Sequence, residues 1–107
     1  MKTLLLLSIL FFATIINAQA IQKKKVVEAS CGQCQFGMNS KKGCDLAVKI
    51  DGKAYFVDGT KIDDHGDAHA KDGFCSAIRQ AEITGEIVDN RFVATSFKLL
   101  PVATKNK

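Results

Sequence analysis

Residues 45–57 read DLAVKIDGKAYFV and give the clearest structural signal in the chain. In the first half of this stretch every second residue is apolar, which is the period of a half-buried β-strand. Asp51-Gly52 then matches the two-residue turns of β-hairpins, because both turn positions need a positive φ. Around that turn Val48 lies opposite Tyr55, so the apolar face continues across both strands. The stretch therefore predicts a hairpin with one face turned towards a core.

Three segments outside this hairpin also have the character of β-strands. We predict strands at 26–30, 82–88 and 91–99, with a tight turn at 89–90 that joins the last two. The apolar residues that share one face of the last strand are Val93, Phe97 and Leu99. The sequence thus predicts five strands in total.

A single helix is predicted between the third and fourth strands. It would run from Gly73 to about Ala81 with Asp72 as its cap, because apolar residues recur there at helical spacing. Those residues are Phe74, Ala77, Ile78 and Ala81. The order β-β-β-α-β-β is that of the OB-fold. The predicted fold class is therefore mainly β with one short helix, arranged as a small five-stranded OB-like barrel or roll.

The first 20 residues have the three regions of a secretory signal peptide. Lys2 precedes an apolar run, and residues 18–20 read AQA, a small-x-small cleavage site. The run is short for a membrane span, and no later segment is apolar enough for one. We therefore predict an exported protein, periplasmic or extracellular, without a membrane span.

Removal of residues 1–20 would leave 87 of the 107 residues, which suffices for one small domain. Residues 21–25 are predicted to be a basic linker, residues 26–100 a single OB-like domain, and residues 101–107 a disordered tail. A dinucleotide-binding unit would fill the whole chain, so no nucleotide cofactor is expected.

The distribution of charge argues against nucleic acid as a partner. The whole chain holds 15 basic and 11 acidic residues, but residues 26–100 hold 9 basic and 11 acidic ones. The basic excess therefore lies at the ends, whereas nucleic-acid-binding domains carry Lys and Arg on the folded surface. The aromatic residues are also too scattered to form a platform for stacked bases.

Four cysteines follow the predicted leader, and they are Cys31, Cys34, Cys44 and Cys75. An even number in an oxidising compartment favours two disulfides that stabilise a small core. Four cysteines allow three pairings, and the sequence does not choose among them. One hypothesis is therefore a disulfide-stabilised structural or protein-binding domain whose partner is unknown.

The spacing of Cys31 and Cys34 also matches a metal knuckle, in which two thiolates bind one ion from a tight turn. Cys44, Cys75 or histidines could complete a tetrahedral site, and such soft ligands select zinc or copper. Haem is not expected, because Gln35 stands where a c-type haem site requires histidine. Thiol–disulfide exchange is a third hypothesis, and it lacks the helix that would lower the pKa of the first thiol.

Residues 63–75, DDHGDAHAKDGFC, are the most unusual stretch of the chain. Both histidines of the protein, His65 and His69, lie here among acidic side chains. Carboxylates beside an imidazole fix its tautomer and raise its basicity, as around metal sites. We therefore predict His65 and His69 as the first metal ligands. The carboxylates predicted to orient them are Asp64, Asp67 and Asp72.

Four short motifs, taken together, resemble a family of small secreted, mostly bacterial proteins of uncharacterised function. They are C-G-x-C at 31–34, G-C-D-L-A at 43–47, V-D-G at 57–59 and H-G-D-A-H-A-x-D-G-F-C at 65–75. The resemblance covers about residues 27–100 and implies a secreted location and one compact domain, but no known reaction. The positions that match the motifs are Cys31, Cys34, Cys44, His65, His69, Asp72, Gly73 and Cys75.

The function that these patterns favour is an exported, non-catalytic module that binds a zinc or copper ion. The predicted ligands are His65, His69, Cys31 and Cys34, with Cys44 and Cys75 either joined in a disulfide or acting as additional ligands. No catalytic residue is predicted, because no complete catalytic motif is present. The disulfide-stabilised binding domain and the thiol–disulfide redox protein are the alternatives.

Overall fold

The computed structural model describes residues 19–102, and these form a closed barrel of five β-strands. The strands are β1 (Gln19–Cys31), β2 (Leu46–Ile50), β3 (Lys53–Asp58), β4 (Arg79–Val88) and β5 (Arg91–Leu99). Around the barrel they follow the order β1-β2-β3-β5-β4, and β4 pairs with β1 to close it. The pair β3–β5 is parallel, and the others are antiparallel. The predicted fold class, a mainly β five-stranded barrel with one short helix, is confirmed.

Both predicted hairpins form with the expected turns. Val48 pairs with Tyr55 between β2 and β3. The turn between them has φ of 51° at Asp51 and 86° at Gly52. The second hairpin turns at residues 89–90, where φ is 51° and 67°. Both turns therefore have the paired positive φ values that suit the right-handed twist of the flanking strands.

The first strand is longer than predicted. Residues 21–25, predicted as a basic linker, lie within β1, which begins at Gln19. Ile21 pairs with Gly85 and Lys25 pairs with Ile83, with a bulge in between. Strand pairing gives this polar segment backbone partners that its composition does not suggest. Residues 1–18 of the predicted signal peptide and residues 103–107 of the predicted tail lie outside the described residues.

The helix predicted from Gly73 to Ala81 is wrong. A single hydrogen-bonded turn follows Gly73, whose carbonyl accepts from the amide of Ala77 at 2.9 Å, and β4 then begins at Arg79. Pairing with β1 overrides the helical spacing, because Ala81 is fully buried opposite Val27. The short helix of the fold is instead α1 (Gly32–Gln35), directly after β1, and residues 62–65 form a 3₁₀ turn. Within residues 19–102, no helix is long and apolar enough to cross a membrane.

A bulge in the second hairpin changes which residues of β5 face the core. Thr84 pairs with Ser96 but Gly85 pairs with Ala94, so Thr95 is an extra residue in β5. The extra residue reverses the alternation of side chains between the two halves of the strand. Phe92 is consequently fully buried, whereas Val93, predicted to face the core with Phe97 and Leu99, is 38% exposed.

An ion pair spans the parallel contact between β3 and β5, where only two residue pairs are in register. The Arg91 guanidinium donates two hydrogen bonds of 2.8 Å to the carboxylate of Asp58. These hydrogen bonds hold the pKa of Asp58 below its ordinary value, more than partial burial raises it. The pair thus adds a two-pronged contact where the backbone ladder is shortest.

We predict that Gly85→Ala destabilises the barrel by about 1–3 kcal/mol, because an added Cβ would collide with the carbonyl oxygen of Val93 and lie 2.8 Å from the ring of Phe92. Gly52→Ala is the matched control, since Gly52 also has a positive φ but has open space around it. Chemical denaturation measures both changes. Equal losses for the two variants would show that backbone conformation, and not the collision, sets the cost.

Candidate metal centre

All four cysteines of the described chain meet at one place on the barrel. Their sulfur atoms lie within 4.8 Å of one another. Cys31 ends β1, Cys34 lies in α1, Cys44 precedes β2, and Cys75 lies in the turn before β4. Three separate loop regions therefore supply the cluster, and the strands bring them together.

The first two sulfurs are positioned by the tight turn of α1. Cys31 is the residue before the helix, and its sulfur accepts a hydrogen bond of 3.4 Å from the backbone amide of Cys34. Between them, Gly32 donates its amide to the carbonyl of Asp45 at 2.8 Å. A Cβ at Gly32 would lie 2.8 Å from the ring of Phe56, so only glycine fits between the two cysteines without displacement.

The fourth sulfur is brought to the cluster by contacts between β1 and the turn around Cys75. The amide of Cys31 donates to the carbonyl of Phe74 at 3.1 Å. The buried hydroxyl of Ser30 lies 2.6 Å from that oxygen and 2.7 Å from the carbonyl oxygen of Ala77. The amide of Cys75 donates to the carbonyl of Ala68 at 2.9 Å. These bonds place Cys75 beside the end of β1, 44 residues away in sequence.

Glutamine side chains around the sulfurs form a second layer of hydrogen bonds. The side-chain oxygen Oε1 of Gln33 accepts a hydrogen bond of 2.9 Å from the backbone amide of Asp45. The same oxygen lies 3.6 Å from the sulfur of Cys31. Its amide group donates to the Asp45 carboxylate at 2.7 Å. Gln35 donates to the carbonyl of Cys75 at 2.9 Å. Both side chains therefore tie α1 to the other two loops of the cluster.

The four cysteines differ in their exposure to solvent. Cys31 is fully buried, Cys44 and Cys75 are half-buried, and Cys34 is exposed. A redox-active C-x-x-C pair needs its first, thiolate-forming sulfur to be accessible to the substrate. The inaccessible Cys31 therefore disfavours thiol–disulfide exchange with a protein substrate.

The pKa values of the cysteines differ because their sulfurs lie close together. Burial raises the pKa of Cys31, but hydrogen bonds from Cys44 and Cys34 lower it more, so its pKa lies below the ordinary value. The hydrogen bond to Cys31, with a smaller contribution from burial, raises the pKa of Cys34 to about 11. Burial, followed by hydrogen bonds to Cys31 and Cys75, raises the pKa of Cys44. Cys31 is therefore the more acidic thiol when it is compared with Cys34 and Cys44.

A disulfide between Cys44 and Cys75, one of two alternatives that the sequence left open, is not at bonding distance in the structure. Their sulfurs are 2.9 Å apart, and those of Cys44 and Cys31 are 2.8 Å apart, whereas a disulfide bond measures about 2.05 Å. The sequence left Cys44 and Cys75 as either a disulfide or additional ligands. The geometry favours additional ligands, because both sulfurs lie within the same cluster as Cys31 and Cys34.

The two histidines lie outside the sulfur cluster, although the sequence predicts them as the first ligands. Among residues 19–102, the groups of converging ligand atoms consist of the four cysteines alone. The Nε2 atom of His65 is 2.8 Å from the Thr60 hydroxyl, and its ring centroid is 4.5 Å from that of Phe97. His69 is exposed, and its backbone amide donates to Asp67. The ring of His65 therefore packs against Phe97 of β5 and holds the loop between β3 and β4 against the barrel.

Of the three aspartates predicted to orient the histidines, Asp64 and Asp67 use their carboxylates to bond the loop backbone. Asp64 accepts hydrogen bonds from the amide of Lys61 and the hydroxyl of Thr60. Asp67 accepts from the amide of His69 at 2.9 Å. The backbone carbonyl of Asp72 accepts from Arg79 at 2.8 Å. Their recorded hydrogen bonds are therefore of the kind that shapes a loop.

Sequence reasoning found all four sulfurs but missed Gln33 and Ser30. The two residues join the loops of the cluster through hydrogen bonds to Asp45 and Phe74. Nothing in their sequence neighbourhood distinguishes them from surface polar residues, because their partners are distant in the chain. Only the position of Gln33 between two cysteines offers a signal.

A comparison with protein-family models matches residues 25–100 to a family of unknown function, DUF6370. The matched segment spans most of the barrel and contains all four cysteines. No curated protein and no solved structure matches the chain in the corresponding searches.

We predict that the barrel loses stability as the pH falls below about 6.5, the ordinary pKa of histidine. Burial lowers the pKa of His65 in the folded chain, against a smaller opposing effect of Asp64. The unfolded chain therefore binds a proton first, so stability present above pH 6.5 is lost as the pH falls towards the lower folded pKa.

Thermal unfolding between pH 5 and 7.5 measures this effect. His65→Gln should reduce the slope, because glutamine does not titrate, and His69→Gln is the matched substitution at an exposed histidine. A slope that survives in His65→Gln would assign it to another group.

Proposed function

Because the chain belongs to the DUF6370 family, whose function is unknown, we propose a function from its site: a non-catalytic module that binds one zinc ion. The proposed ligands are Cys31, Cys34, Cys44 and Cys75. The observation that carries this proposal is the convergence of their four sulfur atoms within 4.8 Å. Free thiols gain only weak hydrogen bonds from such crowding, whereas thiolates around a shared cation gain Coulomb attraction.

The dimensions of the cluster suit a tetrahedral ion. With zinc–sulfur bonds of about 2.3 Å, the sulfurs of a tetrahedral site are about 3.8 Å apart. The separations in the chain, from 2.8 Å to at most 4.8 Å, bracket this value, so small side-chain rotations suffice. Four sulfurs select zinc over calcium, magnesium and manganese, which prefer oxygen. Divalent copper is less suited, since it favours tetragonal nitrogen and oxygen ligands, whereas monovalent copper shares the preference of zinc for thiolates and is the competing ion.

The donor set also argues for a non-catalytic role. Catalytic zinc sites keep one position open for water or substrate, whereas four protein ligands fill the tetrahedron. The pair Cys31 and Cys34, with an amide hydrogen bond to the Cys31 sulfur, supplies the stabilisation of negative charge that a thiolate site needs. A bound ion would link α1, the loop before β2 and the turn before β4 at one end of the barrel.

We further propose that this module works outside the cytoplasm, on the basis of the predicted signal peptide at residues 1–20. Free thiols oxidise in such a compartment, and coordination to zinc would protect them. The second candidate function, a disulfide-stabilised domain, is favoured by one observation. The sulfur of Cys44 lies 2.8 Å from Cys31 and 2.9 Å from Cys75, so a small movement would allow a disulfide with either.

We expect protein purified from the periplasm of an expression host to contain one zinc ion per chain. Elemental analysis measures the ion, and mass spectrometry after alkylation under denaturing conditions counts free thiols. Cys31→Ser should lose the zinc, while His65→Ala and His69→Ala should retain it, because neither histidine joins the cluster. Metal-free protein with blocked cysteines would instead support the disulfide-stabilised domain. Stoichiometric iron or copper would keep the site but refute the choice of zinc.

We also expect zinc to stabilise the fold by mass action. At a free zinc concentration one hundred times Kd, the gain in unfolding free energy is about 2.7 kcal/mol. Thermal unfolding with and without a chelator measures it. Cys75→Ser should respond far less to the chelator than wild type, whereas His69→Ala should respond equally. An identical melting temperature with and without chelator would contradict a linking role for the ion.

A further inference from the structure

We infer that Cys34 is the exchange ligand of the site, through which a thiol-bearing acceptor removes the zinc ion. This inference rests on the proposed zinc site and adds a direction of transfer to it. The module would then be a zinc donor to cysteine-containing acceptors, in addition to being stabilised by the ion.

Exposure distinguishes Cys34 from the other three ligands. Cys34 is exposed, while Cys31 is fully buried and the remaining two are half-buried. An incoming ligand must approach the ion from the solvent side, and the exposed sulfur marks that side.

The attachment of each ligand to the barrel points to the same residue. Cys31 is the last residue of β1, and its amide is bonded to the carbonyl of Phe74. The backbone amide of Cys75 donates a hydrogen bond to the carbonyl of Ala68. Cys44 directly precedes Asp45, which forms hydrogen bonds with Gly32 and Gln33. Displacement of the backbone at any of these three residues would break contacts between loops, and their side chains are more buried than that of Cys34.

Cys34 lies in α1, and the bonds that tie this helix to the other loops come from its neighbouring residues. Gly32 and Gln33 bond to Asp45, and the side chain of Gln35 donates to the carbonyl of Cys75. The amide of Cys34 donates to the sulfur of Cys31. Rotation of the Cys34 side chain away from the cluster would therefore leave the backbone of α1 and this hydrogen bond intact.

The transfer step is a ligand exchange without oxidation or reduction. An acceptor thiol loses its proton as its sulfur bonds to zinc, the bond from zinc to the Cys34 sulfur breaks, and Cys34 takes up a proton. Repetition of the exchange at the other three sulfurs completes the transfer.

A second route of access lies beside Cys44. This residue borders a groove of about 270 Å³, whose lining also includes Thr60, Lys61 and Arg91. Cys44 is half-buried at the edge of this groove, so an acceptor could in principle approach it from there. The experiment must therefore distinguish Cys34 from Cys44.

The test uses the zinc-loaded chain after removal of the leader, treated with less than one equivalent of N-ethylmaleimide. Peptide mass mapping should place at least about tenfold more label on Cys34 than on any other cysteine, which corresponds to a barrier difference of about 1.4 kcal/mol. In His69→Ala, a matched control that leaves all four sulfurs in place, the label should still go to Cys34. Label that appears first on Cys44, or equally on all four cysteines, would overturn the inference.

A kinetic arm measures the transfer itself. Zinc release to a chromogenic chelator is followed while reduced glutathione, or a metal-free zinc-finger peptide, is added as acceptor. The initial rate should rise linearly with acceptor thiol. Cys34→Ser, measured after elemental analysis has shown how much zinc it retains, should release that zinc about tenfold faster, because no sulfur needs to be displaced at entry.

The outcomes of this arm separate the two proposals. Acceleration by the peptide but not by glutathione would identify a protein acceptor, and acceleration by glutathione a small thiol. A rate independent of either acceptor would overturn the inference while leaving the zinc site in place. Absence of zinc from the wild-type protein would overturn the proposed function, and the inference with it.

Discussion

The arrangement of the cluster depends on the hydrogen bonds that the carbonyl group of Phe74 accepts. This carbonyl accepts hydrogen bonds from the amide of Cys31 and the hydroxyl of Ser30, both at the end of β1. The bonds fix a segment that lies far away in sequence, and they do so from fully buried positions where water offers no substitute. The loop between β3 and β4 is thereby anchored to β1, and Cys75 arrives next to Cys31 as a consequence.

Local patterns predicted the regular part of the fold well. The two hairpins, their turns and the five-stranded barrel follow from alternation and turn chemistry, which depend on adjacent residues. The predicted helix failed because Ala81 and its neighbours have backbone partners in β1, and such pairing is not encoded locally. The face of Val93 failed for a related reason, since the bulge at Thr95 shifts the alternation by one residue.

The cysteines of the site could be predicted from the sequence, but the complete set of its residues could not. The C-x-x-C motif and the even number of cysteines indicated sulfur ligands, and both are properties of the sequence alone. The concentration of histidines and aspartates in residues 63–75 indicated a metal site by composition. In the structure those polar groups bond to one another's backbone and to Thr60, because a loop without regular structure must satisfy its own amides.

Barrel closure sets the order in which the cluster can assemble. Cys31 and Cys34 are neighbours from the start of synthesis, but Cys75 joins them only when the last segment before β4 has docked on β1. The entropy lost in closing so long a loop grows only with the logarithm of its length. This cost must nevertheless be met before the contact between Cys75 and Cys31 can stabilise the fold. The four sulfurs are therefore together only after the long-range contacts of the barrel have formed. Any ligand that requires all of them would bind after the chain has folded and would not guide the early steps of folding.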